Sequence, residues 1–211
     1  WGFRTAWFGN TLHFDPTVFY IDYQDPQIGQ STQGVPIGYT TNVGGAKSYG
    51  GEFNLRWLTP VPGLMAELDG GITKALTTEA FTASDGEVIP AGAYMPGGSR
   101  SQYSASIDYV VPFISVVTVA AHAGYSYIGK TFTDIQNQHP VNDFGTSSAG
   151  LVFSVPMAQF QPKLALGVTN ISNVTRPVYW ETGKPLSQTG EYQTYILNAP
   201  RTFTARISLD F

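Results

Sequence analysis

The sequence predicts an all-β protein, an antiparallel transmembrane β-barrel of about nine strands, and three observations lead to this prediction. Polar and apolar residues alternate without a break from Thr202 to Phe211, so a strand there has one polar and one apolar face. Only 12% of the 211 residues are charged, about half the share usual in soluble domains, and 14% are aromatic. The connections between predicted strands alternate between short and long, as they do at the two rims of a membrane barrel.

Composition also excludes several classes of protein. No apolar run approaches the ~20 residues that a spanning helix needs, which excludes a helical membrane protein. The chain has no cysteine, so it holds neither disulfides nor thiolate metal sites. Its net charge is −4, with acidic and basic residues interspersed, whereas a nucleic-acid-binding protein shows a basic stripe. We expect no nucleic-acid partner, no cofactor and no resident metal, and the start at Trp1 shows no signal peptide.

The first two predicted strands flank a tight turn at Gly9-Asn10. Residues 1–8 alternate mostly aromatic side chains with smaller or polar ones, which is typical of a strand. Residues 25–40 are rich in Gln, Gly, Pro and Thr and are predicted to form a long loop. In the second strand, residues 17–24, the apolar set is expected to face outward and the polar set inward. The outward set is Phe19, Ile21 and Tyr23, and the inward set is Tyr20, Asp22 and Gln24.

The third and fourth strands, residues 48–57 and 64–73, favour a wet lumen over a dry core. One face of the third strand carries Glu52 and Arg56, and the fourth strand repeats the pattern with two carboxylates. An unpaired charge buried in a dry core costs several kcal/mol or more, whereas a water-filled lumen removes that cost. These strands therefore favour a membrane barrel over a soluble β-sandwich.

The second half of the chain adds five strands, residues 102–111, 117–127, 149–155, 164–168 and 202–211. Each alternates an apolar set with a polar or small set, most cleanly in the first of the five. Short turns are expected at one rim, near Gly9, Pro62, Pro112 and Pro156, together with Phe211. Long loops are expected at the other rim, over 31–38, 79–98, 131–142 and 176–198. Aromatic residues gather at strand ends, where interface girdles lie: Trp57, Tyr103, Tyr109, Tyr125, Tyr127 and Phe211.

Four segments in the right order carry a resemblance to a known family. Asn42–Glu52 resembles the "N-x-G-x-A-x-x-x-G-x-E" segment found late in the barrels of TonB-dependent outer-membrane receptors, and Phe19–Gln27 resembles their "F-Y-x-x-Y-x-D-x-Q" strand. Gly167–Asn173 is similar to their penultimate-strand motif, and Pro200–Phe211 to their terminal strand, which ends in an aromatic. Together the motifs cover nearly the whole chain.

The resemblance implies a fold, a function and partners. Residues 1–211 are expected to be the C-terminal part of a 22-stranded barrel, without the plug domain and the earlier strands. The implied function is uptake of a scarce nutrient, such as an iron–siderophore complex, across the bacterial outer membrane, with no bond made or broken. The implied partners are outer-membrane lipid, the remaining strands and plug domain, the TonB complex through the N-terminal region, and a small nutrient ligand.

Three alternatives stay open at this point. A small self-contained barrel with a structural, adhesive or porin-like role is the first, although nine is an odd number and single-chain bacterial barrels have even counts. An outer-membrane hydrolase built on His122, with Ser126 and Asp108 nearby, is the second. A soluble sandwich or carbohydrate-binding module is the third.

Two sets of residues are candidates for function. Ligand contact is expected at aromatic side chains of the long loops, because rings bury a bulky ligand while OH and NH groups orient it. These residues are Tyr94, Tyr179, Trp180, Tyr192 and Tyr195. Loop aromatics also often only pack one loop on another, and the sequence does not decide between the two roles. The polar lumen wall is expected to carry Glu52, Arg56, Glu67, Asp69, Asp108 and His122.

Overall fold

The computed structural model describes residues 1–31, 38–42, 44–83, 86–111, 116–155, 160–183 and 192–210. In chain order the strands are β1 (Thr5–Trp7), β2 (Leu12–Gln24), β3 (Gln27–Ser31), β4 (Gly38–Asn42), β5 (Gly45–Leu58), β6 (Leu64–Thr77), β7 (Phe81–Thr82), β8 (Val88–Ile89), β9 (Ser101–Val110), β10 (Thr118–Ile128), β11 (Thr131–Phe132), β12 (Pro140–Val141), β13 (Phe144–Ser154), β14 (Gln161–Thr169), β15 (Pro177–Gly183), β16 (Tyr192–Leu197) and β17 (Thr202–Asp210). No helix that could cross a membrane occurs in the described residues.

Nine strands form one antiparallel sheet in the order β1-β2-β5-β6-β9-β10-β13-β14-β17. Each strand pairs with the next one of the sheet along the chain, so the sheet is an up-and-down meander. The prediction of an all-β antiparallel architecture with about nine strands is confirmed. Because every interior strand has two neighbours, its backbone N–H and C=O groups find partners within the sheet itself.

Each long connection contains a short two-stranded ribbon, which the alternation pattern of the sequence does not predict. The ribbons are β3–β4, β7–β8, β11–β12 and β15–β16. They lie at the rim opposite the short turns at Gly9 and Gly63, where φ is +67° and +80°. Both glycines are in the left-handed region that a tight turn requires. The turns expected at Pro112 and Pro156, and the terminal Phe211, lie outside the described residues.

The register of the strands gives the sheet one polar face and one apolar face. Asn54 pairs with Asp69, and Asp69 with Ser104, so a polar row crosses β5, β6 and β9 on what we call the inner face. Leu55 pairs with Leu68 on the opposite, outward face. Outward apolar side chains are widely exposed, for example Ile107 at 53% and Ile207 at 84%. A continuous apolar face of this kind is stable only against lipid or another apolar surface.

The structure corrects the predicted orientation of the second half of β2. Thr17 pairs with Glu52, and Phe19 with Gly50, which fixes the phase of the whole strand. The observed inward set is Phe19, Ile21 and Tyr23, and the outward set is Tyr20, Asp22 and Gln24. The prediction was wrong because it assigned the more apolar set of residues 17–24 to the outward face. The strand begins at Leu12, and its pairing with β5 determines which side chains face inward. Gly50 has no side chain, and this absence leaves room for the Phe19 ring.

Aromatic rings lie at two levels of the outward face. Trp7 and Trp57 both pair with Leu12, one from each neighbouring strand, close to the short-turn rim. Tyr20 and Tyr49 stack with their ring centroids 6.5 Å apart, nearer the long-loop rim. The apolar side chains of β2 and β5 lie between these two levels. This arrangement is typical of the aromatic girdles of a membrane barrel.

A buried asparagine closes the connection between β14 and β17. Asn170 is 5% exposed, and its Nδ2 donates to the carbonyl oxygens of Val174 at 2.8 Å and Ala199 at 2.9 Å. Its Oδ1 accepts the N–H of Val174 at 2.9 Å. Beside it, Oδ1 of Asn173 accepts the N–H of Arg201 at 3.0 Å. The last two sequence motifs are therefore joined to each other by side-chain hydrogen bonds.

The change Asn170→Asp is expected to lower the free energy of unfolding by about 2–4 kcal/mol, because a buried carboxylate then faces two carbonyl oxygens. Asn173→Asp is the matched control, since an aspartate keeps the acceptor oxygen and the side chain is exposed. We expect it to change stability by about 0.5 kcal/mol or less. Urea unfolding of the detergent-solubilised protein measures both, and equal losses in the two variants would contradict this role of Asn170.

Candidate functional site

The inner face of the sheet carries a network of charged and polar side chains. Nε of Arg56 lies 3.2 Å from Oε1 of Glu67, and Asn54 donates to Oδ1 of Asp69. Ser104 donates to Oδ2 of the same aspartate at 3.3 Å. These side chains point from adjacent strands to one side, because paired residues share a face. Partly exposed ion pairs of this kind contribute little stability, so the network is a polar surface rather than a core.

A shallow groove of about 620 Å³ runs along this face. Three carboxylates line it, those of Asp15, Glu52 and Asp69, together with uncharged polar side chains such as Asn54 and Gln102. No lysine, arginine or histidine is among its lining residues. Within the described residues no group of three or more His, Asp and Glu side chains is placed to hold a metal ion. The groove is therefore acidic, and its charge fits a basic partner.

His122 and Asp108 form a pair farther along the inner face. Nδ1 of His122 lies 2.8 Å from Oδ1 of Asp108 across the β9–β10 pairing. A Ser-His-Asp hydrolase needs in addition a serine hydroxyl hydrogen-bonded to the second ring nitrogen. Within the described part of the chain, neither Ser126 nor another serine makes that hydrogen bond. The pair is a polar element of the wall.

At the long-loop rim, two connections pack on each other and form a unit that we call the loop cap, residues 78–100 and 129–143 without residues 84 and 85. It holds a small apolar core, in which Ile89 is 1% and Ile135 is 5% exposed. Asn137 joins the two connections: its Oδ1 accepts the N–H of Tyr94 at 2.8 Å, and its Nδ2 donates to the Tyr94 carbonyl at 2.9 Å. The ribbon β15–β16 adjoins this unit through the contact between β12 and β15.

A cationic and aromatic cluster lies within the loop cap. The guanidinium carbon of Arg100 is 3.7 Å from the ring centroid of Tyr94 and 5.0 Å from that of Phe132. The ammonium of Lys130 lies 5.4 Å from the Phe132 centroid. Nε of Arg100 is buried and has no hydrogen-bond partner among the described residues. The two rings, which are tilted by 40° to each other, hold the guanidinium in place and leave part of its hydrogen-bonding capacity unused.

The structure brings some of the predicted site residues together. Tyr94 lies in the cluster described above, at the centre of the loop cap. The backbones of Trp180 and Tyr195 pair directly in the β15–β16 ribbon. The side chains of four candidates lie outside the described residues, those of Tyr179, Trp180, Tyr192 and Tyr195. The six residues expected on the lumen wall share the inner face: Glu52, Arg56, Glu67, Asp69, Asp108 and His122.

Sequence reasoning missed Arg100, Lys130, Phe132 and Asn137. Arg100 lies two residues before the strand predicted at 102–111, and Lys130 lies in the connection after the strand predicted at 117–127, so no strand pattern singles out either residue. Asn137 has φ of +59°, a conformation that asparagine adopts more readily than most residues. An asparagine inside a predicted long loop that holds no glycine is the signal that the sequence offers for it, and Asn142 of the same loop offers that signal equally.

Comparisons with known proteins agree on one fold. A family model described as "TonB dependent receptor-like, beta-barrel" matches residues 2–171. The solved structure of FyuA, the ferric yersiniabactin uptake receptor from Yersinia pestis, matches with a TM-score of 0.75 and 18% identity. BauA, the ferric preacinetobactin receptor from Acinetobacter baumannii, gives 0.70 and 14%, and the siderophore receptor PiuA from the same organism gives 0.68 and 18%. No curated protein sequence matches the chain.

The matches cover nearly all of this chain but less than a third of each receptor. The alignments take in 100% of this chain for FyuA and BauA and 99% for PiuA. They take in only 29%, 28% and 27% of the respective receptors. At such low identity the likeness concerns the fold alone.

The loop cap generates a prediction about Asn137. Asn137→Asp removes the amide donor to the Tyr94 carbonyl and is expected to speed amide exchange in residues 94–100 and 131–141 by about 10-fold, the effect of about 1.4 kcal/mol of local stability. The exposed Asn142, in the same connection, supplies the matched control Asn142→Asp. Hydrogen exchange with peptide-level mass spectrometry measures both. Faster exchange in only one of the two connections would show that they are not joined through Asn137.

Proposed function

The chain belongs to the TonB dependent receptor-like β-barrel family, and on this premise we propose that it is a section of the wall of an outer-membrane receptor that imports a ferric siderophore. Members of this family are outer-membrane transporters rather than enzymes. The observation that carries the proposal is the division of the sheet into an apolar outward face and a charged inner face. A barrel wall between lipid and a wet lumen requires that division.

We propose that the nine strands are the C-terminal section of a larger barrel. The alignment of the whole chain with less than a third of each receptor supports this. Within the described residues, β1 and β17 each have one neighbour in the sheet, and open edges are not stable in lipid. Both edges would then pair with strands of the same polypeptide. Energy coupling through TonB would act through a plug domain and an N-terminal region outside this section.

The acidic groove is the proposed contact for that plug domain. Asp15, Glu52 and Asp69 present negative charge to the lumen without a cation among the lining residues. A plug surface with lysine or arginine side chains complements this charge, and water in the interface screens it only in part. The inner-face network positions one of these carboxylates, since Asp69 is held by Asn54 and Ser104.

The proposed ligand site is the loop cap together with the β15–β16 ribbon. The Arg100 guanidinium and the Lys130 ammonium supply positive charge next to the rings of Tyr94 and Phe132. A ferric siderophore with anionic oxygen donors and aromatic or extended apolar parts matches a surface of this chemistry. The loop aromatics predicted from sequence, Tyr179, Trp180, Tyr192 and Tyr195, are proposed to complete the site from the neighbouring ribbon.

Uptake by the parent receptor tests the proposed function. In iron-starved cells that express it as the sole siderophore receptor, radioactive iron presented as hydroxamate, catecholate or phenolate complexes should enter with at least one of the three. Uptake should cease when TonB is deleted. Uptake that persists without TonB, or the absence of binding to all three classes, would show the proposal to be wrong.

Arg100→Gln and Trp180→Ala in the parent receptor are expected to weaken ferric siderophore binding by about 10-fold or more, as loss of a charged or aromatic anchor does. The folded yield should stay at the parental value, because both residues lie at the loop rim and not in the sheet. Tyr109→Ala is the control, an aromatic change on the outward face near the opposite rim. Tryptophan fluorescence titration gives the dissociation constants. Parental affinity in both loop variants would show that the loop cap is not part of the ligand site.

A matched pair of variants tests the orientation of the wall. Ile107→Arg places a cation on the outward face and should destabilise the inserted barrel by about 2–4 kcal/mol if the site lies near the midplane of the membrane. Ser106→Arg places the same cation on the inner face, in register with Glu67, and should cost about 1 kcal/mol or less. Folding yield into lipid vesicles, read from heat-modifiable migration, separates the two. Equal yields would mean that the outward face does not contact lipid.

A further inference from the structure

The outward face of the nine-stranded sheet is almost free of charge, and its charged side chains are neighbours. Among the outward positions of the strands described, Asp22, Lys47 and Lys74 carry charge. Asp22 pairs with Lys47 between β2 and β5, and Tyr49 pairs with Lys74 between β5 and β6. Lys47 and Lys74 are therefore diagonal neighbours, close enough for both long side chains to reach one group. No ion pair of either lysine is found in the described part of the chain.

The distance of these lysines from the short-turn rim, counted along their strands, indicates what surrounds them. Lys47 lies ten residues beyond Trp57 along β5, and Lys74 lies ten residues beyond Leu64 along β6. A tilted strand crosses the hydrocarbon region in about 9–11 residues. Both lysines lie one membrane crossing away from the short-turn rim, beside the upper aromatic level at Tyr49. This is the depth of lipid headgroups, where an outward cation is not penalised as it is at the midplane.

We propose that Lys47 and Lys74 bind a phosphate headgroup of a lipid in the leaflet next to the long loops. The argument rests on the membrane location within the proposed function, but it concerns the outward face and not the ligand site. Two ammonium groups supply the positive charge that a phosphate requires, and the Tyr49 phenol lies in register with Lys74 at the same level. Asp22 offsets part of this charge, so the patch has a net charge of about +1.

The lysines and Asp22 are expected to have opposite effects on lipid affinity. Replacing both lysines by glutamine removes the phosphate partners, at about a five-fold loss of lipid affinity for each lysine and about 30-fold for both. Replacing both by arginine keeps the charges, so affinity should stay near the parental value. Asp22→Asn removes the opposing charge and should tighten lipid binding by about five-fold. A purely structural role of the lysines does not produce this gain.

The experiment uses the parent receptor purified in dodecyl maltoside and titrated with bis-phosphorylated lipid A, with bound lipid counted by native mass spectrometry. Dephosphorylated lipid A and inorganic phosphate are the comparison ligands, and heat-modifiable migration confirms that each variant is folded. We expect the stated losses for K47Q/K74Q, retention for K47R/K74R, and weak binding of both comparison ligands. Parental affinity in K47Q/K74Q, equal binding of dephosphorylated lipid A, or equally tight binding of inorganic phosphate would overturn the proposal.

A parallel titration with ferric siderophores separates this proposal from the proposed function. Changes at Lys47 and Lys74 should leave siderophore affinity unchanged, since both face away from the lumen. A receptor that binds lipid A as expected but binds no siderophore would refute the import function alone. A receptor that binds siderophore normally while K47Q/K74Q keeps its lipid would refute the lipid site alone.

Discussion

The pairing of backbone hydrogen-bonding groups between adjacent strands is the constraint on which the rest of this structure depends. Hydrocarbon offers no partner to an N–H or C=O group, so a wall in contact with lipid needs an uninterrupted ladder. The nine strands meet this need in the simplest way, each pairing with the next along the chain. Once the ladder is fixed, alternation leaves each side chain a choice of two faces, and the chemistry of the two faces follows from what they contact.

The same constraint explains where structural variety is allowed. Long connections lie beyond the ladder, at one rim, and there the chain builds ribbons, a small apolar core and side-chain hydrogen bonds to backbone groups. In the loop cap, a side chain provides the backbone pairing that neighbouring strands provide in the wall. Asn137 satisfies both the N–H and the C=O of Tyr94. A cation held between Tyr94 and Phe132 is possible in this setting because the two connections hold each other in place.

Much of the wall is predictable from sequence, and little of the rim is. Strands such as β9 and β17 are recognisable from the alternation of polar and apolar residues, because one face of the strand contacts apolar surroundings and the other polar surroundings. The phase of β2 was not predictable from hydropathy alone, since the large inward ring of Phe19 is accommodated by Gly50 on another strand. Arg100 and Phe132 come together from separate connections, and no local pattern records a contact between residues that far apart in the chain. The inner-face candidates were identifiable because charge at a strand position already indicates a wet surface.

The asparagine junction between β14 and β17 has a consequence for how such a chain can change over evolutionary time. Asn170 binds the carbonyl of Ala199, and Asn173 binds the N–H of Arg201, so the two strands are fastened at the base of the long connection that spans residues 170–201. Closing a long excursion at its base makes the position of the terminal strand independent of the length beyond that point. Insertions, deletions and new binding chemistry can accumulate in the excursion while the strand register is preserved. The junction thus divides the segment into a part that diversifies and a part that keeps the wall intact.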